Sequence, residues 1–233
     1  MEKAAVCFYD TIPYWGIYMK SKKMILGAAC GLAVIMLVMI HTACNSRGVS
    51  KYNPDNDFSV EPVDDGKSVR ITRYEGDKSE VDIPAVIREL PVTHIGGEAD
   101  DPDRPMWIAF KGKNLINATI PLSVISIGRE AFANNQLTSV TIPNNVTQIG
   151  YWAFANNQLT SITLPDNIKI YDCAFDRNRL TSITIGENAD VSSAFNGLWD
   201  EYDIGFESAY NASGKAAGTY TRPDTNSTIW TKM

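Results

Sequence analysis

The chain has 233 residues, 44% hydrophobic and 21% charged, which fits one folded body plus targeting sequence and excludes the composition of a disordered protein. Its net charge of −6 understates the acidity of the body: residues 1–44 carry four Lys and two acidic residues, leaving 17 basic against 25 acidic side chains, a net −8. Nucleic acid and anionic lipid are therefore excluded as charge-matched partners.

Residues 20–44 run from three lysines among four residues, through an apolar stretch over residues 24–40, to small and polar residues ending at Cys44, the order of an export signal. The 17-residue apolar run is near the lower limit for crossing a bilayer, so an uncleaved anchor is the alternative. Residues 40–44, IHTAC, resemble the lipobox of bacterial lipoproteins, which implies cleavage before Cys44 and its lipidation; His41 stands where that motif usually has Leu. The aromatic, acidic first 18 residues are unnecessary to such a signal and place the translation start at Met19. Residues 45–56 are polar, with Gly, Pro and Asn, and read as a flexible tether.

From residue 57 to 114 the sequence predicts an N-terminal β-hairpin cap and a first irregular repeat. Turns fall at Asp65-Gly66 and Glu75-Gly76, and an inserted loop between Gly97 and Ala109 contains Met106 and Trp107. Over residues 115–197 the chain repeats itself. Residues 137–158 and 159–179 are nearly identical, a copy precedes them at Leu115, and a truncated one follows at Leu180.

Phe110, Phe132, Phe154, Phe175 and Phe195 recur at spacings of 22, 22, 21 and 20, the signature of stacked coils. Within one coil Leu137, Val140 and Ile142 turn inward along a short strand that Pro143 ends. Val146 and Ile149 return to the core, and Ala153 and Phe154 lock the coil before the Asn156-Asn157 turn. One coil alone buries too little to offset its backbone entropy, so coils must stack, with the turn asparagines Asn135, Asn157 and Asn178 expected to bridge them. The tail, residues 198–233, offers the strand-like pieces FESAY and GTYT as a C-terminal β cap.

The recurring L-T-S-I-T-I-P, I-G and A-F landmarks resemble the BspA-like leucine-rich repeat family of bacterial surface proteins, over about residues 68–197. That resemblance implies a β-rich solenoid, a right-handed coil stack of ~22-residue repeats with both ends capped. It also implies adhesion to host matrix proteins, cells or other bacteria. The repeat lacks its Gly at Tyr171, is one residue short before Phe175, and degrades after Gly186, which predicts less regular C-terminal coils.

Outward strand positions recur as Thr119, Thr141, Thr163 and Thr184, flanked by Ser139, Ser161 and Ser182: a hydroxyl ladder suited to docking, or simply β-branched residues on exposed strands. Tyr151, Trp152 and, in the inserted loop, Trp107 are aromatics that core packing does not dictate, hence candidate anchors for a protein or a sugar ring. The acidic group Glu98, Asp100, Asp101 and Asp103 lacks the spacing of a calcium loop and reads as solvated. Cys173 has no local base to activate it and only the distant His94 to partner it. Four N-x-S/T sequons, at Asn117, Asn145, Asn211 and Asn226, follow the repeat and tail consensus and imply no glycosylation.

The sequence thus predicts a lipid-anchored envelope or cell-surface protein, exported to the outer membrane or beyond, that binds other proteins. It needs no catalytic residue, cofactor or metal. An envelope scaffold or carbohydrate-binding module is the alternative, and a glycan hydrolase the remote one.

Overall fold

The computed structural model describes residues 54–99, 108–191, 193–195 and 204–233; the export segment with Met19 and Cys44, and the loop with Met106 and Trp107, lie outside these. Among the described residues, chain order is mostly short strands with one α-helix. Strands β1 (Phe58–Val63) and β2 (Ser68–Tyr74) form an antiparallel hairpin, Phe58 opposite Tyr74 and Val63 opposite Ser68. The turn between them uses left-handed Asp64, Asp65 and Gly66, where the Asp65-Gly66 pair predicts one.

Strand β4 (Val86–Ile87) pairs antiparallel with the start of β5 (Leu90–Ile95), and the pairing that follows is parallel. Strand β2 joins β5, which joins β7 (Ser126–Ile127), then β8 (Gln148–Ile149) and β10 (Lys169–Ile170). Ile71, Ile95, Ile127, Ile149 and Ile170 occupy successive partner positions, all buried. This sheet runs through the Ile-Gly landmark, where sequence patterning indicates only a return to the core. Two-residue strands are too short for a period of two to appear.

A second series of strands follows the Leu-x-x-Leu-x-Leu segments. β3 (Glu80–Asp82) pairs with β6 (Asn117–Thr119), and β9 (Ser161–Leu164) with β11 (Ser182–Ile185), both parallel. Between these pairs residues 139–142 keep the outward-inward alternation but form no strand, so the expected ladder is hydrogen-bonded in two pieces.

The tail departs from expectation. FESAY lies in a helix, α1 (Phe206–Ala212), while GTYT is strand β12 (Gly218–Thr221), antiparallel to β11 and followed by β13 (Thr231–Lys232). The spacing Phe206, Ala209, Tyr210 is an i, i+3, i+4 helical face, and Phe206 and Tyr210 are both fully buried.

Between the two strand series runs an unbroken file of rings. Phe110, Phe132, Phe154, Phe175 and Phe195 stack at centroid distances of 4.9, 5.2, 5.4 and 5.4 Å, the first three pairs tilted by only 2°. Tyr74 joins one end at 5.4 Å from Phe110, and Phe206 meets Phe195 edge-on at 4.8 Å among Tyr210, Tyr220 and Trp230. Edge-on contact places the positive ring edge on the last negative face, which offers no seat for another parallel ring.

Backbone bonds accompany the rings. The N–H groups of Phe110, Phe132, Phe154 and Phe175 donate to the carbonyls of Ala131, Ala153, Ala174 and Ala194, at 2.8 to 3.0 Å. The asparagine column bridges windings as expected. The Asn157 Oδ1 accepts from Leu137 N–H at 3.1 Å, and its Nδ2 donates to the carbonyls of Phe132 and Phe154 at 3.0 Å each. Asn135 and Asn178 repeat the pattern.

Gly150 is required by close approach: a Cβ there would lie 2.6 Å from the Arg129 amide nitrogen. Tyr171 takes the equivalent place one winding on, yet its N–H still donates to Ile149 O at 2.9 Å, and Ile168 and Ile170 both remain buried. The missing residue falls between those isoleucines, and the ring file continues; only the Phe175–Phe195 pair opens, to 16°.

Asn157→Ala strips a buried donor and acceptor from four backbone groups in two windings. It is expected to cost about 2 to 4 kcal/mol in urea unfolding, where Asn156→Ala, on the exposed neighbour, costs less than about 1.

Candidate binding surface

The hydroxyl positions are all outward. Thr119, Ser139, Thr141, Ser161 and Thr163 are exposed, while Ser182 and Thr184 are half-buried because β12 lies alongside them. Register places two columns on this face: Ser161, Ser182, Thr221 and Thr231 in one, and Thr163, Thr184 and Thr219 in the other. The Thr184 and Thr219 hydroxyls lie 2.9 Å apart. Thr219, Thr221 and Thr231 escape sequence analysis because the tail carries no repeat; the only signal is GTYT itself, whose alternation places Tyr220 inward.

The aromatic candidates sit elsewhere on the winding, in the turn after β8. Ala153 N–H donates to Gly150 O across Tyr151 and Trp152, with Trp152 at φ 53°. This is the third position of a turn that needs a left-handed residue. Glu130, Cys173 and Ser193 hold the same position in other windings, at φ 51°, 58° and 60°. The backbone demand thus belongs to the fold, whereas the choice of Trp does not; a bulky residue in this region costs on the order of 1 kcal/mol.

Three neighbours meet the indole. The Arg129 guanidinium lies 4.8 Å over its ring, Tyr151 packs at 6.1 Å, and Cys173 adjoins it from the next winding. Tyr151 also meets Tyr171 at 5.1 Å, with the Lys169 ammonium 4.5 Å above the Tyr171 ring. Glu130 ties the group together, accepting from Lys111 and pairing with Arg129 at 3.6 Å. Arg129, Glu130, Asn134, Trp152 and Asn156 line a groove of about 270 Å³. Sequence comparison of the windings reaches Tyr151 and Trp152 but not Arg129, because a repeat alignment compares equivalent positions and this contact is diagonal.

Cys173 carries no nucleophile's environment. Burial pushes its thiol up to about 11, with Asp176 and Asp172 adding to the rise. His94 is on β5, with β7 and β8 between it and β10, roughly 14 Å away at one strand spacing each. Its pKa is held below the ordinary imidazole value, first by burial and then by Arg70. Of the acidic group only Glu98 is described, and it pairs with buried Arg70 at 2.5 Å. Among the described residues no group of three His, Cys, Asp or Glu side chains could hold a metal ion.

Burial also raises the Asp176 carboxyl above its ordinary 3.8, and its Oδ1 has no hydrogen-bond partner. A carboxyl raised on folding binds its proton more tightly in the folded chain. Its contribution is present in full below the unfolded value and is lost as pH rises through the folded one. Asp176→Asn is therefore expected to raise the melting temperature at pH 7 and leave it nearly unchanged at pH 3. A lower melting temperature at pH 7 would contradict this.

Comparison with known proteins agrees on the repeat. The family described as "BspA type Leucine rich repeat region" matches residues 108–208 in six copies, a span that starts later than residue 68 and reaches into α1. Among solved structures the chain is similar to a leucine-rich repeat protein of T. pallidum, at 20% identity and a TM-score of 0.43, covering 69% of this chain and 95% of that one. It is also similar to a leucine-rich repeat protein from Bacteroides ovatus, at 18% identity and a TM-score of 0.37, covering 65% of this chain and 46% of that one. No curated protein matches in sequence. Residues 108–208 of this chain are thus similar to a BspA type leucine-rich repeat region.

Proposed function

We propose that this chain is a lipid-anchored protein of the bacterial cell envelope that binds partner proteins, in adhesion to host matrix or to other cells, through the hydroxyl face of its repeats. The supporting observation is the two in-register columns, one running from Ser161 to Thr231 across four strands and the other from Thr163 to Thr219 across three. A twisted four-strand face at about 4.8 Å per strand is a broad, shallow platform. Such a platform suits many weak polar contacts with another macromolecule and offers nothing that would enclose a reacting small molecule.

In this reading the repeats wind right-handed at about 22 residues, and the β1–β2 hairpin and the α1–β13 tail are caps that keep further copies from adding at the ends. The Cys44 thiol carries the lipid, and residues 45–56 hold the repeats away from the membrane.

The test measures binding of the full-length protein in detergent to immobilised extracellular-matrix proteins. Ser161→Arg with Thr163→Arg places two bulky charges on the face without touching the core, and is expected to weaken binding by about tenfold or more while the melting temperature holds. Unchanged binding would remove the face from the account, and a wild-type protein that binds no matrix protein and no cell would remove adhesion. Cys44→Ala is expected to abolish incorporation of a labelled fatty acid and release the protein from membranes.

A further inference from the structure

We propose that the groove beside Trp152 is a second binding site, for a carboxylate-bearing pyranose such as a hexuronic or sialic acid at the end of a glycan. The site stands apart from the hydroxyl face and does not depend on that reading.

Three observations converge on this ligand. The first is the platform. Trp152 occupies a left-handed position that Glu130, Cys173 and Ser193 fill in other windings, so packing does not call for an indole there. Its ring is held by Arg129 on one side and by Tyr151 beside it. An aromatic fixed in this way presents its surface to a sugar's C–H face with little ordering left to do.

The second is charge. Glu130 is shared by two cations, Lys111 at one carboxylate oxygen and Arg129 at the other, which leaves one positive charge in surplus in a body of net −8. The Arg129 Nε is buried without a hydrogen bond, and its guanidinium is held 4.8 Å from the indole centroid, so its outer N–H groups form a preset fork for a carboxylate.

The third is the lining. Asn134 and Asn156 are exposed at φ 57° and 55° on the groove's wall, and their amides both donate and accept, which matches vicinal hydroxyls. At about 270 Å³ the groove is just below the ~300 Å³ at which sites begin to enclose drug-sized molecules, a volume suited to one or two sugar rings and not to a protein surface.

The test uses a matched pair of ligands, methyl β-glucuronide and methyl β-glucoside, with a methyl sialoside as the other acidic probe. Each is titrated into the full-length protein in detergent and followed by ligand-observed NMR. The glucuronide or the sialoside, whichever fits, is expected to bind at millimolar concentration at least about tenfold tighter than the glucoside. Arg129→Gln is expected to erase that preference, Arg129→Lys to retain part of it, and Trp152→Ala to abolish binding. A melting temperature near the wild-type value in each variant serves as the folding control. Equal binding of the glucoside, undiminished binding by Trp152→Ala, or no binding of either acid would overturn the proposal. Ser161→Arg with Thr163→Arg is expected to leave sugar binding untouched, so failure here and failure of the hydroxyl face can be told apart.

Discussion

Phe110, Phe132, Phe154 and Phe175 each donate the backbone N–H to the carbonyl of an alanine one winding later, while each ring lies about 5 Å from the next ring. Those two contacts are made by the same residue, so ring spacing and backbone spacing must agree. A dispersion-packed stack of nearly parallel rings and a ladder bond of 2.8 Å set one rise per winding, and the other residues of the winding inherit it. The asparagine amides, the isoleucine column and the close approach at Gly150 all work at that rise. The small alanine before each phenylalanine is explained in the same way: it is fully buried where two windings cross.

A stack fixed from within leaves its surface positions unconstrained by packing. Outward strand residues need only tolerate an extended backbone, and the turn position after β8 needs only a positive φ. The same turn position therefore carries a carboxylate in one winding, an indole in the next and a buried thiol after that. Each choice alters the local chemistry without disturbing the rings. The Trp152 surroundings draw on three windings at once, since Arg129, Trp152 and Cys173 come from successive copies.

Periodic features of the molecule were legible in the sequence, and aperiodic or diagonal ones were not. The phenylalanine spacings of 22, 22, 21 and 20 gave the ring file, and the Asp65-Gly66 pair gave the first turn. The asparagine column was readable because an amide at a fixed turn position has few alternatives to bonding backbone. The Ile-Gly sheet was hidden, as two-residue strands leave no alternation to read. FESAY is too short for its five residues to separate a period of two from one of 3.6, and burial of Phe206 and Tyr210 on one side decides for helix. Three of the seven hydroxyls in the two columns lie in the tail, joined to the repeats by antiparallel pairing that no local pattern announces. At the candidate sugar site the indole was evident and its cationic partner was not.

The central claim is that neighbouring rings in the file depend on one another, and a double-mutant cycle tests it most directly. Phe132→Leu and Phe154→Leu, whose rings touch, should show a coupling energy of about 1 kcal/mol in urea unfolding. Phe110→Leu and Phe175→Leu, separated by two intervening rings, should add to within about 0.5 kcal/mol. Full additivity of the touching pair would contradict the account.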